Sequence, residues 1–232
     1  DLYRTDPRLG SNEDVRALSR EAQARGVGLV MDVVLNHIGS HHWWMRDLPA
    51  KDWISNRATF TPTNHRRTSI QDPHAAPADR QAFTDGWFVD TMPNLNQRNP
   101  QLARYLIQNT LWWIEYAGLS GIREDTFGYA DAGFLGDWAK AVLTEYPDFA
   151  MVGEEWSTNP AVVAHWQRGN RNASGHVPHM PAMMDFPVHV ALRNALVQPE
   201  GWESGWIGLY EMLANDFLYP DPGALVVFAE NH

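Results

Sequence analysis

GIRED, residues Gly121–Asp125, is a short run that ends in side chains able to do acid, base or nucleophilic chemistry. Residues 27–32 (VGLVMD) and 149–154 (FAMVGE) share this pattern, and a fourth run, 224–228 (ALVVF), leads into a polar ending. Buried parallel strands have near-continuous apolar sequences. Polar groups at the C-terminal ends of such strands are typical of active sites in barrel-type α/β folds. The four runs therefore predict an α/β enzyme.

Helical patterns separate these strands, and residues 180–186 form a further predicted strand, the fifth. The predicted helices cover residues 13–25, 100–117, 132–146, 159–168, 188–197 and 206–215. Alternating strands and helices with short connections indicate parallel βαβ units, which occur in eight-stranded barrels and in open doubly wound sheets. The barrel is favoured, because the chain has neither a Gly-x-Gly-x-x-Gly sequence after a strand nor a phosphate-binding loop.

The composition is typical of a globular protein and argues against several classes of function. The 232 residues are 44% hydrophobic and 20% charged, and the net charge of −10 argues against nucleic-acid binding, which needs a basic face. No apolar run of about 18 residues is present, so no membrane span is expected. Cysteine is absent, which excludes disulfides and thiolate metal sites. The 11 tryptophans offer aromatic faces for flat ligands such as sugar rings.

Residues 38–92 form a long stretch without helix or strand periodicity, rich in Pro, Asn, His, Thr and Trp. Irregular loops of this length are uncommon in compact domains and usually belong to an inserted subdomain or a functional lid. We therefore expect an insertion between the first two predicted strands.

Asp125 and Glu154 are the main candidates for catalytic chemistry. They end consecutive predicted strands, and neighbouring parallel strands lie about 4.8 Å apart, so their carboxyl groups could face each other. A retaining glycosidase needs one ionised and one protonated carboxyl group about 5–5.5 Å apart. Arg123 points to the same side of its strand as Asp125, and its charge would hold Asp125 ionised. A buried Arg–Asp pair without a catalytic role is the alternative.

Asp32 and His37 follow another strand end. Both could hydrogen-bond sugar hydroxyls, although a turn-capping Asp and a His bonded to the main chain are the simpler alternative. The histidines between residues 37 and 65 include the adjacent His41 and His42, whose side chains should point in different directions. Because no ligand spacing recurs, we predict no metal or other cofactor from these histidines.

Four of these segments together resemble the α-amylase family, glycoside hydrolase family 13. DVVLNH (32–37), GIRED (121–125), GEEW (153–156) and FAENH (228–232) are similar, in this order, to its four signature segments. MPNLN (92–96) resembles the fifth, accessory segment in the form found near neopullulanases and cyclomaltodextrinases. The resemblance extends over essentially the whole chain.

The resemblance implies an α/β fold, a (β/α)8 TIM barrel that is incomplete and contains about strands three to seven. Residues 1–37 would hold the loop after strand two, a helix and strand three. Residues 38–92 would be the inserted domain B, and residues 93–232 would hold strands four to seven. Strands one, two and eight would be absent.

The resemblance also implies roles for the candidate residues. Asp125 would be the nucleophile and Glu154, rather than Glu155, the general acid and base, because the family's catalytic Glu directly follows this Gly. Arg123 would orient the nucleophile. The implied substrate-binding residues are Asp32, His37, Arg123 and His232. The family's third carboxylate would follow His232 directly.

Three further features stand beside these roles. Asn36 corresponds to a residue that holds a structural calcium ion in some α-amylases, although neopullulanase-like members often lack that site. Glu124 and Thr126 differ from the residues common beside the family nucleophile, and Glu124 should face the other side of the strand from Asp125. Residues 172–174 (NAS) match a glycosylation sequon without other support.

The implied function is that of a retaining α-glucan hydrolase. It would cleave α-1,4 bonds, with α-1,6 bonds as a further option, in starch, pullulan or cyclodextrins through a covalent glycosyl-enzyme intermediate. Its partner would be an α-glucan or maltooligosaccharide substrate. A transglycosylase of the same family and a non-catalytic amylase-like binding module are the alternatives. The sequence indicates neither compartment nor oligomeric state.

We predict that residues 1–232 expressed alone are insoluble or inactive, because an incomplete barrel leaves strand edges unpaired and open to aggregation. Soluble yield, size-exclusion behaviour and maltooligosaccharide hydrolysis test this. A well-behaved monomer with normal turnover would contradict it.

Overall fold

A parallel sheet forms the centre of the molecule. The computed structural model describes residues 1–171 and 175–231. The strands are β1 (Val30–Val34), β2 (Gly121–Asp125), β3 (Ala150–Gly153) and β4 (Ala182–Met183). They are hydrogen-bonded in the order β1-β2-β3-β4, and each neighbouring pair is parallel. An open doubly wound sheet reverses its strand order, so this sequential order favours a barrel.

The register of the sheet brings the polar strand ends together. Asp32 of β1 is aligned with Arg123 of β2, and Glu124 is aligned with Gly153 of β3. The main chain continues this pairing beyond β3, because the Glu154 N–H donates to the Glu124 carbonyl oxygen at 2.9 Å. The carboxyl ends of β1, β2 and β3 therefore meet at one edge.

Seven α-helices accompany the sheet in the described part of the chain. They are α1 (Asn12–Gln23), α2 (Pro77–Thr84), α3 (Pro100–Ala117), α4 (Ala132–Glu145), α5 (Pro160–Ala164), α6 (Phe186–Val197) and α7 (Gly205–Leu213). None of these helices combines the length and the apolar character that a bilayer crossing requires.

Helix α3 shows how local sequence fixes an element. The Asn99 side chain caps its N-terminus by accepting from the N–H groups of Gln101 and Leu102 at 2.9 and 3.1 Å. Pro100 has no N–H to satisfy and suits the first turn. Gly118 ends the helix at φ +62°, where a residue without Cβ avoids strain. These signals agree with the predicted span.

Three predicted strands have different bounds in the structure. Strand β1 spans Val30–Val34 rather than 27–32, because the Val27 N–H still bonds back to the Ala22 carbonyl oxygen after α1. Asp32 therefore lies within β1 and not at its end. Strand β3 spans Ala150–Gly153 rather than 149–154. The strand predicted at residues 180–186 is reduced to Ala182–Met183, because Asp185 already caps α6.

The strand predicted at residues 224–228 is wrong. The chain forms a 3-10 turn at Pro222–Ala224, and Val226 makes only an isolated parallel bridge with Met184. Pro and Gly at positions 222 and 223 favour a turn. Strand β4 is also only two residues long, so it offers a short ladder for pairing.

Residues 38–92 contain only short helices. These are the 3-10 helices Trp43–Met45 and Arg67–Ile70, together with α2. The segment packs through buried aromatic side chains, among them Trp44 and Trp53, whose ring centroids lie 5.4 Å apart. After the segment, Asn94 pairs with His37, in the loop after β1, through an isolated antiparallel bridge.

Glu124 is a buried carboxyl group in the central strand β2. It alternates along β2 with Arg123 and Asp125 and is fully buried. The Leu35 N–H faces the carboxyl group, but neither carboxyl oxygen has a partner of hydrogen-bond geometry among the described residues. Burial, and then the charge of Asp125, raise the pKa of Glu124 well above its ordinary value. The folded structure therefore favours the protonated form of Glu124 more strongly than the unfolded chain does.

We expect Glu124→Gln to change the pH dependence of stability. The pKa of Glu124 is higher in the folded than in the unfolded protein, so protonated Glu124 contributes to the free energy of unfolding. That contribution is fully present below the unfolded-state pKa and is lost as the pH rises through the folded-state pKa. The Gln variant should therefore gain free energy of unfolding relative to wild type as pH rises, by up to about 1.4 kcal/mol per pH unit.

Urea unfolding of the protein at its natural length between about pH 5 and pH 8 measures this difference. Glu145→Gln, at the exposed end of α4, is the matched control and should follow wild type. Curves for wild type and Glu124→Gln that stay parallel across this range would contradict the expectation.

Candidate active site

The Arg123 guanidinium lies among three carboxylates at the carboxyl edge of the sheet. Its Nη1 donates to Asp32 Oδ2 at 2.6 Å and to Asp125 Oδ1 at 2.7 Å. Its Nη2 lies 2.5 Å from Glu154 Oε1, at ion-pair distance but without the alignment of a hydrogen bond. The three residues come from or directly follow β1, β2 and β3, so the sheet register produces this cluster.

The Glu154 carboxyl group has a second contact, with the turn after β2. Thr126 has φ +50°, a left-handed conformation that is uncommon for a β-branched residue. Its N–H donates to Glu154 Oε2 at 3.2 Å. The Phe127 N–H donates to the Glu154 carbonyl oxygen at 3.0 Å, so this turn holds both the main chain and the side chain of Glu154.

The three carboxylates differ in burial. The side chain of Glu154 is 8% exposed, that of Asp125 is 23% exposed and that of Asp32 is 54% exposed. Burial opposes the charge on Arg123, but the attraction of Glu154, Asp125 and Asp32 outweighs it, so the pKa of Arg123 is raised. The arginine is therefore a permanent positive charge at the centre of the cluster.

His37 lies near Asp125 in the loop after β1. Burial lowers the pKa of His37, whereas the negative charge of Asp125 acts in the opposite direction. The net shift is downward, so the imidazole is neutral near pH 7 and can both donate and accept a hydrogen bond.

Asn36 fixes this loop to the segment that resembles the fifth motif. The Asn94 side-chain amide donates to Asn36 Oδ1 at 3.1 Å, and the Leu95 N–H donates to the Asn36 carbonyl oxygen at 2.9 Å. Asn94 Oδ1 and Asn96 Oδ1 are buried and have no hydrogen-bond partner among the described residues.

Asn36 and Asn94 alone would not make a calcium site, since Ca²⁺ takes about six to eight oxygen ligands. Within residues 1–171 and 175–231, no group of three or more His, Cys, Asp or Glu side chains is placed to hold a metal ion.

The structure brings together four of the predicted site residues in direct contact, Asp32, Arg123, Asp125 and Glu154, and places His37 beside them. Residues 172–174, which match the sequon, and His232 lie outside the described residues. The resemblance implied that Glu154, and not Glu155, is the acid. Glu155 is buried and forms an ion pair with Arg67 at 2.6 Å.

The sequence patterns did not indicate which residues of the segment 38–92 lie near Glu154. A cavity of about 450 Å³ opens beside Glu154. It is lined by His65, Arg67, Phe88, Thr126, Tyr129, Glu154 and Trp156. Arg67 and Phe88 lie in the irregular stretch without periodicity, so no local pattern distinguished them. Trp156 ends the GEEW segment, but that pattern assigned no role to its side chain.

The chain is similar to known proteins over its whole length. The family model for the α-amylase catalytic domain matches residues 1–232. The intracellular maltogenic amylase of Bacillus subtilis is 31% identical over 196 residues, which are 80% of this chain and 29% of that protein. Neopullulanase 2 of Thermoactinomyces vulgaris is 28% identical over 167 residues, which are 67% of this chain and 26% of that protein. The chain thus spans less than a third of these relatives.

Solved structures have the same fold. The α-amylase of Geobacillus thermoleovorans, crystallised with acarbose, superposes with a TM-score of 0.78 at 30% identity, covering 100% of this chain and 46% of that one. An Anoxybacillus α-amylase gives a TM-score of 0.78 at 27% identity with the same coverage. With the four parallel strands in sequential order, these similarities confirm the prediction of an incomplete (β/α)8 barrel.

The family match and the similar proteins agree with one another. The family model covers every residue, and the relatives carry the names of glycoside hydrolases. The chain belongs to the α-amylase family of glycoside hydrolases.

Proposed function

We propose that this chain carries the catalytic centre of a retaining α-glucan hydrolase, with Asp125 as nucleophile and Glu154 as general acid and base. The observation that carries the proposal is that both carboxylates contact one guanidinium group, that of Arg123. A retaining mechanism needs two carboxyl groups close enough to act on one anomeric carbon from opposite sides.

The burial and contacts of the two carboxyl groups support the division of roles. The retaining mechanism requires a protonated acid and an ionised nucleophile. Glu154, the proposed acid, is the most buried of the three carboxylates around Arg123. Asp125, the proposed nucleophile, accepts a hydrogen bond from Arg123 at 2.7 Å.

In the first step, Glu154 transfers its proton to the glycosidic oxygen as the bond from that oxygen to the anomeric carbon breaks. A carboxylate oxygen of Asp125 bonds to the anomeric carbon, which gives a covalent glycosyl-enzyme. Arg123 holds Asp125 in place for this attack.

In the second step, Glu154 removes a proton from water, and the water oxygen bonds to the anomeric carbon. The bond to Asp125 breaks at the same time, so Asp125 is ionised and Glu154 protonated again. A sugar hydroxyl in place of water would give transglycosylation by the same route.

Asp32, His37 and His232 would bind the hydroxyls of the sugar whose bond is cleaved. The neutral imidazole of His37 can donate or accept a hydrogen bond there. We further propose that residues 38–92 are the inserted domain B, between barrel segments 1–37 and 93–232. The cavity between this insert and Glu154 would then receive the leaving sugar, with Phe88 and Trp156 as aromatic faces.

The substrate class rests on the relatives. The names maltogenic amylase and neopullulanase refer to α-glucans, and the Geobacillus enzyme was crystallised with acarbose. We therefore propose α-1,4 glucosidic bonds in starch, pullulan or cyclodextrins as the first substrates to assay, with α-1,6 bonds as the second.

We expect Asp125→Asn to lower kcat for maltooligosaccharide hydrolysis on the order of 10⁴-fold or more, because the nucleophile is lost. Glu154→Gln should lower kcat by about 10²- to 10⁴-fold on the same substrate. On α-maltosyl fluoride, whose leaving group needs no proton, the Glu154→Gln loss in forming the glycosyl-enzyme should be much smaller. The assays use the protein at its natural length.

Asp137→Asn, on the exposed face of α4, is the matched control and should retain wild-type turnover. Undiminished activity of Asp125→Asn would overturn the assignment of the nucleophile. Wild-type protein that binds maltooligosaccharides without cleaving them would instead support a non-catalytic binding module. Products longer than the substrate, formed in excess acceptor, would indicate transglycosylation.

A further inference from the structure

We propose that Arg67 is a positioning residue for Glu154, acting from the insert through the two residues that follow the acid in the chain. The proposal rests on the function proposed for Glu154. Arg67 lies 88 positions from Glu155 in sequence and begins the 3-10 helix Arg67–Ile70.

Arg67 hydrogen-bonds the two residues that follow Glu154 in the chain. Its Nη1 donates to Glu155 Oε1 at 2.6 Å and also to the Trp156 carbonyl oxygen. Its Nη2 donates to Tyr129 Oη at 3.0 Å, and its guanidinium lies 5.5 Å from the Tyr129 ring centroid. One side chain thus fixes a side chain and a main-chain atom directly beyond Glu154.

The Glu155 side chain is buried and hydrogen-bonded at both carboxyl oxygens, so its position is fixed. Its side chain is 2% exposed, and its other oxygen, Oε2, accepts from Trp166 Nε1 at 2.9 Å. This arrangement needs a glycine at position 128, because a Cβ on Gly128 would lie 2.0 Å from Glu155 Oε2. With both oxygens bonded, Glu155 anchors the segment between β3 and α5.

Among the described residues, the Glu154 carboxyl group has an ion pair with Arg123 and a hydrogen bond from the Thr126 N–H at 3.2 Å. The main chain of Glu154 is bonded to Glu124 and Phe127. Arg67 adds contacts to the two residues that follow, Glu155 and Trp156, and so restrains the direction in which the chain leaves Glu154. A displacement of about 1 Å in a reacting group can cost about 10²-fold in rate. Loss of Arg67 should therefore impair proton transfer while leaving the nucleophile in place.

The experiment compares Arg67→Met with Arg66→Met in the protein at its natural length. Arg66 is the matched control, because it is adjacent to Arg67, its side chain is 65% exposed and it forms an ion pair with Asp79 at 2.8 Å rather than with the chain after Glu154. Each variant is assayed on a maltooligosaccharide and on α-maltosyl fluoride. The maltooligosaccharide needs leaving-group protonation and the fluoride does not.

We expect Arg67→Met to lower kcat on the maltooligosaccharide by about 10- to 100-fold, with less than about 3-fold change on the fluoride. Arg67→Lys should restore part of the loss, because an ammonium can still bind Glu155 but cannot reach all three partners at once. Arg66→Met should match wild type on both substrates.

Equal losses on both substrates, or a change confined to KM, would overturn the proposal. If Arg67→Met fails to fold, Glu155→Gln carries the test, because it keeps the side-chain shape while removing the charge that Arg67 binds. That variant should also lose more activity on the maltooligosaccharide than on the fluoride, and equal losses would again overturn the proposal. If Glu154→Gln itself shows no dependence on the leaving group, the function proposed for Glu154 fails instead.

Discussion

The site depends on one cation, the Arg123 guanidinium, and on the strand register that brings carboxylates to it. Strand β2 supplies both Arg123 and Asp125, two residues apart and therefore on the same side of the strand. Strand β1 brings Asp32 level with Arg123, and the chain leaving β3 brings Glu154. Without this cation, three carboxylates would face one another in a partly buried space, where like charges strongly disfavour ionisation.

A second arginine, Arg67, pairs with Glu155, the residue that follows Glu154 in the chain. Glu155 is buried, and burial raises its pKa, whereas the charge of Arg67 acts to lower it. The adjacent glutamates Glu154 and Glu155 thus pair with different arginines, one from the sheet and one from the insert. Separate partners keep the two side chains pointing apart and leave Glu154 beside the cavity.

Local sequence predicted the parts of the molecule that local interactions determine. Asn99, Pro100 and Gly118 defined α3, and GIRED defined β2 to the residue. The prediction of a strand at 224–228 was wrong because an apolar run forms a strand only where a neighbouring strand can hydrogen-bond to it. The neighbouring strand, β4, is only two residues long. Asp125, Glu154 and Arg123 could be selected because strand ends converge in parallel sheets. Arg67 could not, because its partner lies 88 positions away and no periodic pattern links them.

The distance in sequence between Arg67 and Glu155 also has a consequence for chain entropy. The entropic cost of closing a loop rises only with the logarithm of its length, by about 0.6 kcal/mol for each doubling. Breaking a buried ion pair by removing one partner costs about 3–5 kcal/mol. Adding residues to the short irregular connection between Ile70 and α2 therefore changes the closure free energy by much less than the loss of the ion pair would cost. That connection can vary in length while the contact between Arg67 and the chain after β3 persists.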